Sequence, residues 1–141
     1  MSESGVYRLE WRGEFDNAAV NALHAQAFDH ELRNEDWEGR VRVHSLGWVC
    51  AYDDAADGLV GFVNVPWDGG IHAFVIDTMV SARAARRGVG RRLIAVVVAE
   101  ARAAGCEWLH VDFEDHLGRF YFDACGFEPT NAGLIALYKG G

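Results

Sequence analysis

The 141-residue sequence has little proline and little cysteine, and each shortage excludes a class of protein. Only two prolines occur, and neither a repeat nor a low-complexity linker divides the chain, so we expect one domain over residues 1–141. The three cysteines, Cys50, Cys106 and Cys125, are widely spaced. This spacing excludes a disulfide framework and a CxxC metal motif, and it favours a reducing, cytoplasmic compartment.

Long apolar runs are also missing. No stretch approaches the roughly 20 residues that a membrane-spanning helix needs, and residues 1–10 are too polar for a signal peptide. The sequence therefore predicts no membrane partner. Half of the residues are nevertheless apolar and 12% are aromatic, which is enough to bury a core and excludes intrinsic disorder.

Lysine is almost absent, because Lys139 is the only one, and arginine supplies nearly all the positive charge. The 13 Lys and Arg residues face 21 Asp and Glu residues, and the net charge of −8 makes nucleic acid an unfavourable partner. Residues 83–92 reverse this sign locally, which predicts a compact anion site. The arginines in that window are Arg83, Arg86, Arg87, Arg91 and Arg92.

Hydrophobic periodicity predicts an α/β (α+β) chain with a mixed sheet and helices on both faces. Strands are expected at 6–11, 45–52, 59–67 and 71–80, the last three in an antiparallel meander whose final strand is buried on both faces. Helices are expected at 18–28, 35–43 and, most strongly, 89–104. A strand at 108–113, a helix at 116–124 and a last strand at 134–138 follow, with Trp48 and Trp108 expected in the core.

The most informative segment joins the strand that ends at Val80 to the strongest helix. An arginine-rich loop leads into Gly88-Val89-Gly90, which opens the helix. The first helical turn offers unpaired N–H groups and positive dipole charge, and glycine lets an anion approach the backbone. The segment predicts a di- or triphosphate site, with a tight turn beside solvated arginines as the alternative. A Walker motif is absent, and Leu93 replaces the third glycine of the dinucleotide-binding pattern.

Two motifs together resemble those of the GCN5-related N-acetyltransferase (GNAT) superfamily. Val80, Gly88 and Gly90 match the family pattern V-x-P-x-x-R/Q-x-x-G-x-G/A, and residues 115–127 (DHLGRFYFDACGF) are similar to N-x-x-A-x-x-F-Y-x-x-x-G-F. The resemblance covers nearly the whole chain. It implies a mostly antiparallel sheet with a V-shaped splay between the fourth and fifth strands.

The resemblance implies direct transfer of an acetyl group from acetyl-CoA to a primary amine, without a covalent enzyme intermediate. It implies that N–H groups of residues 87–91 bind the pyrophosphate and that residues 78–80 pair with the pantetheine arm. Ala85 stands where the family has Arg or Gln, so Arg86 or Arg87 would supply the side-chain contact. The implied cofactor-binding residues are Thr78, Met79, Val80, Arg86, Arg87, Gly88, Val89, Gly90, Arg91, Asp115 and Tyr121.

The expected catalytic residues include one departure from the family. The tyrosine that serves the family as proton donor to the thiolate falls on Phe122, and Tyr121 stands one place earlier. Tyr121 is therefore either the general acid or a structural aromatic. An attacking amine must lose a proton, and Asp77, Asp112 and Glu114 are the candidate bases. Asp77 could instead be a bulge residue or a salt-bridge partner, and Asp112 and Glu114 could be helix caps, although Asp115 is the expected N-cap.

The acidic surface and the aromatic residues in or beside loops predict a cationic small molecule as the acceptor. Trp37 is either a pocket wall or a core residue, and His110 is more typical of a packed histidine than of a base. The six histidines show no metal-ligand spacing, so no metal is expected. The candidate acceptor-binding residues are Phe28, Trp37, Trp67, Asp68 and Asp112.

Three further hypotheses stay open. Phe122 and Ala85 are compatible with a non-catalytic acyl-CoA-binding or regulatory module that has kept the cofactor cleft. An acetyltransferase for protein N-termini or lysines would instead need a shallow acceptor groove. An exposed edge on the last strand would allow two subunits to pair, so a homodimer is also a hypothesis.

Overall fold

The computed structural model describes residues 7–54 and 58–139, so Val6 of the expected first strand lies outside the described residues. Five strands form one sheet in the order β1-β2-β3-β4-β5. Strands β1 to β4 pair in antiparallel fashion, whereas β4 and β5 are parallel. This confirms the mixed, mostly antiparallel sheet. The strands are β1 (Tyr7–Trp11), β2 (Ser45–Asp53), β3 (Gly58–Pro66), β4 (His72–Val80) and β5 (Trp108–Val111).

Three α-helices cover the two faces of the sheet: α1 (Asn17–Phe28), α2 (Trp37–His44) and α3 (Val89–Ala103). Helices α1 and α2 share one core cluster with β2 to β4, and α3 packs in a second cluster with Tyr7 and Val75. Apolar residues recur on one face of α3, which is why this helix buries the larger cluster. No helix in the described ranges has the length and apolarity needed to cross a bilayer.

Strand β4 carries a bulge at the position that matters for the site. The β3–β4 register shifts between Phe62 and Asn64, so that Val63 faces two residues, Asp77 and Thr78. Asp77 has φ 57°, a left-handed conformation that Asp adopts more readily than most side chains do. The extra residue breaks the alternation of side chains along β4 and places Asp77 between its two halves.

The two halves of β4 pack on opposite faces of the sheet. Val75 belongs to the cluster under α3, whereas Met79 belongs to the cluster under α1 and α2. Phe74 and Ile76 are exposed. The expectation that this strand is buried on both faces is therefore wrong, because α1 and α2 do not extend over its first half.

Strands β4 and β5 separate after a short paired region. The pairing joins His72–Val75 to Trp108–Val111, and residues 76–80 have no β5 partner among the described residues. The splay that the resemblance implied is thus present, and it leaves an open backbone edge on the second half of β4.

Two expectations about burial in the second half of the chain are wrong. Trp108 is 62% exposed, because β5 is a four-residue edge strand, while Trp48 is confirmed in the core. In the described part of the chain, residues 134–138 form no strand. Their apolar side chains are 80–87% exposed, and the segment ends in a 3₁₀ turn, Leu137–Lys139. A strand needs a paired neighbour, and here none lies alongside.

The segment before the C-terminus is helical, as expected, but not α-helical. It consists of a 3₁₀ turn, Asp115–Leu117, and a π-helical turn, Arg119–Ala124. Glu114 occupies the N-cap position without a side-chain capping bond, and Asp115 lies inside the turn. The expectation that Asp115 is the N-cap is therefore wrong.

Candidate active site

The five arginines around the start of α3 form two groups: two bind neighbouring strands, and three flank the glycines. Arg83 donates to the Asp53 carboxylate at 3.2 Å, and Arg92 donates to the Tyr7 carbonyl at 3.4 Å. The side chains of these two arginines are therefore committed to neighbouring strands. The exposed arginines that flank the glycines are Arg86, Arg87 and Arg91.

The start of α3 is open to a ligand at Gly88. Gly88 is the N-cap residue and has φ 79°, which favours glycine, and among the described residues no side-chain bond caps the helix. Apart from Gly88 and its two chain neighbours, no described residue has a heavy atom within 4 Å of the position that a Gly88 Cβ would occupy. A Cβ on Gly90 would lie 3.2 Å from the ring of Phe120. The first-turn N–H groups are thus accessible from the Gly88 side, while Phe120 packs against Gly90.

The second half of β4 runs toward this loop along the open edge. Met79 is buried, so the edge offers its backbone rather than its side chain. Thr78 Oγ1 is buried and has no hydrogen-bond partner within the part of the chain that the structure describes. A buried polar atom without a partner is uncommon in a folded protein. Thr78 Oγ1 therefore lies near the Tyr121 phenol without a well-formed hydrogen bond to it.

Tyr121 lies on the π-helical turn and faces the splay. Its buried ring stacks on Phe113 with centroids 4.6 Å apart. Burial raises the pKa of the Tyr121 phenol, Thr78 opposes that rise, and the Asp112 carboxylate adds to it. The phenol thus lies between β4 and the segment that follows β5. Phe122 is exposed, and its side chain has no proton to donate.

Asp77 projects from the bulge toward α1. Its Oδ1 lies 3.3 Å from His24 Nε2, and the Asp77 and His24 side chains are 22% and 18% exposed. The His24 ring is 4.6 Å from the ring of Phe28, which is half exposed, and 5.3 Å from the ring of Trp37. His24 Nδ1 contacts His30 Nε2 at 2.6 Å. Sequence reasoning identified Asp77 and Phe28 but missed both histidines, because no local spacing pairs α1 with a residue 53 positions away.

Other predicted residues lie away from this group. Trp67 Nε1 donates to the Gly70 carbonyl at 2.9 Å, and Asp68 Oδ1 accepts from the N–H groups of Gly70 and His72. The Gly70 hydrogen bond is the main cause that lowers the pKa of Asp68. This hairpin precedes β4, roughly 16 Å along the strand from Asp77 at about 3.3 Å per residue. Trp67 and Asp68 therefore serve the hairpin and do not join the group around Asp77.

Two other predicted acceptor residues, Trp37 and Asp112, differ in burial and in position. Trp37 is 3% exposed, which agrees with the core alternative and leaves little surface for a ligand. Asp112 directly follows β5 on the splay side and is exposed. Glu114 is also exposed and pairs with His116 at 3.7 Å. Of these residues, Asp112 is the one whose negative charge raises the pKa of Tyr121.

A second pair of histidines lies on the open face of β4 and β5. His72 Nδ1 and His110 Nε2 are 2.8 Å apart, and His110 stacks on Phe74 at 4.8 Å. His110 is exposed, so the expectation of a packed histidine is wrong. Among the described residues, no three His, Cys, Asp or Glu side chains converge as metal ligands.

Comparison with known proteins bears directly on this arrangement. The sequence profile of the Acetyltransferase (GNAT) family matches residues 3–127. A comparison with curated protein sequences finds no match.

Solved structures share the fold at low sequence identity. A Trypanosoma brucei acetyltransferase superposes with a TM-score of 0.78 at 17% identity, covering 92% of this chain and 98% of its own. Glucosamine-6-phosphate N-acetyltransferase from Arabidopsis thaliana gives 0.74 at 12% identity, covering 92% and 97%. AAC(6')-Iy, in complex with the bisubstrate analog CoA-S-monomethyl-acetylneamine, gives 0.67 at 18% identity, covering 92% and 96%.

Proposed function

Since the chain belongs to the GNAT family of acetyltransferases, we propose that it transfers the acetyl group of acetyl-CoA to a primary amine of a cationic small molecule. The observation that carries this proposal is the open edge of β4 beside the accessible first turn of α3. Such a pair of features suits a ligand with an extended amide-containing arm and a diphosphate. Coenzyme A has both.

The loop and helix fit the diphosphate. Gly88 leaves the first-turn N–H groups of α3 accessible, and the helix dipole and the absence of acidic residues in that turn favour negative charge. Arg86 and Arg91 are exposed beside it and would add charge-assisted hydrogen bonds. These residues would hold the pyrophosphate, with Gly88 as the point of closest approach.

The β4 edge fits the arm that connects the diphosphate to the thioester. Backbone groups of Thr78, Met79 and Val80 would pair with its amides like an added strand. A backbone N–H beside the bulge would polarise the thioester carbonyl. The acetyl group would come from the thioester of acetyl-CoA, and the remaining chemistry belongs to side chains of this protein.

Tyr121 and Asp77 would transfer protons at the two ends of the reaction. Burial raises the pKa of Tyr121, which keeps the phenol protonated and able to donate a proton to a departing thiolate. Asp77, on the α1 side of the bulge, would accept a proton from the acceptor ammonium. Attack would then be direct, without an acyl group on the enzyme. Glu114 is exposed and pairs with His116, so it is the weaker candidate for the base.

The acceptor would bind on the α1 side of the splay. Phe28 offers an exposed ring for a cation–π contact, and Asp112 offers a carboxylate. The net charge of −8 would attract a cation over a longer range. One structural neighbour is named a glucosamine-6-phosphate N-acetyltransferase, and another was solved with an acetylneamine bisubstrate analog. Such polar amines are therefore the first acceptors to test.

Two measurements test the proposal. Calorimetry with acetyl-CoA tests the cofactor site, and thiol release with a panel of free amines and peptide amines tests turnover. The expected result is binding together with thiol release from free cationic amines. Binding without thiol release would point to the acyl-CoA-binding module, reaction only with peptides would point to a protein acetyltransferase, and no binding would overturn the proposal.

A further inference from the structure

A line of hydrogen-bonded groups runs from Asp77 to the protein surface. Asp77 Oδ1 lies 3.3 Å from His24 Nε2, and the other ring nitrogen of His24 lies 2.6 Å from His30 Nε2. His30 Nδ1 lies 2.7 Å from the Glu31 carbonyl oxygen. The first two contacts are partly buried and the last is exposed, so the line leads from the site to solvent.

Counting protons along this line shows how it works. The Glu31 carbonyl can only accept, so His30 Nδ1 carries the proton of that contact. The contact between His24 and His30 needs a second proton, and the contact between His24 and Asp77 needs a third. Two neutral imidazoles hold only two protons. With Asp77 ionised, the line therefore lacks one proton, and it satisfies all three contacts only after taking up one more.

We propose that Asp77, His24 and His30 act as one proton-accepting unit that removes the proton from the acceptor ammonium and passes it to solvent. The proposal rests on the proposed function, because it assigns the base of that reaction. Asp77 is the catalytic residue, since it would contact the amine. His24 and His30 are positioning and relay residues that act through Asp77.

The surroundings of His24 favour this path over others. The rings of Phe28 and Trp37 lie 4.6 and 5.3 Å from His24 and shield it from water on two sides. The charged and titratable groups that face it are Asp77 from β4, His30 from the loop after α1 and Glu35 from the segment before α2. The pKa of Glu35 is lowered chiefly by its hydrogen bond with Arg40, with His24 among the smaller contributors. Glu35 is thus already paired and does not compete as the base.

The step balances in protons and charge. One N–H bond of the ammonium breaks, and the proton joins the contact between Asp77 and His24. The His24 Nδ1 proton can then move to His30 Nε2, which places the positive charge on the outer imidazole, whose contact with Glu31 is exposed. His30 loses one proton to water, and the unit returns to the charge that it had before the step. No oxidant, metal or second substrate is required.

The kinetic test compares His24→Gln and His30→Gln with His44→Gln as the control. Glutamine keeps a donor and an acceptor but cannot carry an extra proton. His44 ends α2 and is exposed, outside the line. We expect kcat to fall about 10- to 100-fold in the two relay variants, with acetyl-CoA affinity unchanged and the acidic limb of the pH profile displaced. Added imidazole should restore part of the activity of His30→Gln. A pH profile and kcat like those of His44→Gln would overturn the relay.

A spectroscopic test does not depend on turnover. Nitrogen-15 NMR of the ligand-free full-length protein should show His30 protonated at Nδ1, and His24 and His30 should take up one shared proton as the pH falls. Asp77→Asn should change both histidine titrations. Independent titration of the two rings would overturn the relay. If the wild type bound acetyl-CoA without thiol release from any amine, the proposed function would fail, and this titration would still decide whether the unit exists.

Discussion

Gly90 and Phe120 are in direct contact: a Cβ at Gly90 would lie 3.2 Å from the Phe120 ring. Gly90 belongs to the glycine motif at the start of α3, and Phe120 belongs to the C-terminal motif, 30 residues later. The two stretches that carry the family resemblance therefore meet in space. Their meeting closes one side of the site, with Tyr121 next to Phe120 in the same π-helical turn.

The first prediction separates backbone strain from ligand access. Gly88 and Gly105 flank α3, both have positive φ, and both have open space where a Cβ would be. Gly88→Ala and Gly105→Ala should each lower the free energy of unfolding by about 1–2 kcal/mol. Only Gly88→Ala should weaken acetyl-CoA binding, by about tenfold, because its methyl group obstructs the approach to the N–H groups. Urea denaturation and calorimetry measure the two effects, and equal affinities would contradict the assigned site.

The second prediction uses two arginines of the same loop. Arg86→Ala should weaken acetyl-CoA binding several-fold at low salt, and the difference should shrink at high salt, because exposed charges are screened. Arg83→Ala removes the same charge from the loop, but Arg83 already pairs with Asp53. It should change affinity much less. Calorimetry at two ionic strengths checks this, and the expectation is wrong if the two variants lose affinity equally.

The third prediction concerns the buried phenol. Tyr121→Phe should lower kcat about 100-fold or more and leave acetyl-CoA affinity unchanged, since only the proton donor is removed. Tyr7→Phe is the control, because Tyr7 is equally buried in the same core cluster but lies on β1. Steady-state kinetics and calorimetry give both quantities. A Tyr121→Phe variant as active as Tyr7→Phe would leave Tyr121 as a structural aromatic.

The pH dependence of the wild type follows from the direction of the same shift. Burial raises the pKa of Tyr121, so its protonated form persists to higher pH than that of a solvated tyrosine. Loss of activity through ionisation of this phenol is therefore expected only above about pH 10. An alkaline decline centred near neutral pH would have to come from another group.

The fourth prediction contrasts two aromatic neighbours of His24. Trp37→Ala should lower the free energy of unfolding by about 3–5 kcal/mol, because Trp37 is a core residue. Phe28→Ala should change stability by less than about 0.5 kcal/mol but raise KM for a cationic acceptor. Thermal denaturation and kinetics measure these effects. An unchanged KM in Phe28→Ala would remove Phe28 from the acceptor site.

The fifth prediction tests the finding that residues 134–138 form no strand. The large apolar side chains at 134–138 are almost wholly exposed. A chain that ends at Gly133 should therefore have a free energy of unfolding within about 0.5 kcal/mol of that of the full chain. Urea denaturation measures this difference. A loss of several kcal/mol would mean that these residues pair with a sheet edge in solution, within one chain or between two. Sedimentation of both forms distinguishes these cases and tests the homodimer hypothesis.

Local pattern was enough to predict most of the fold and the segment in which the anion site is proposed. Helical periodicity located α1 and α3, and apolar runs bounded by turn residues located the strands of the meander, two of which (β2 and β3) are buried on both faces. The loop before α3 was recognisable because glycines and arginines at a helix start have a direct chemical meaning. The splay between β4 and β5 came from the family resemblance.

The remaining features depend on contacts between distant parts of the chain. Trp108 and the segment at 134–138 have strand-like composition, but their burial depends on whether another strand lies beside them. The contact of His24 with Asp77 depends on a bulge that turns Asp77 toward α1. A bulge adds a residue without altering composition, so the sequence offered a bulge at Asp77 only as one of several alternatives, and the structure confirms it.

The bulge at Asp77 also gives β4 one residue more than its pairing with β3 needs. If Asp77 were deleted, strict alternation would resume with Val75 and Met79 still on the faces of the sheet that they occupy now. The core would keep its side chains, and only the carboxylate that contacts His24 would be lost. A one-residue deletion between Val75 and Met79 should consequently damage the fold less than a one-residue deletion within β3, where every side chain beyond the gap would change faces.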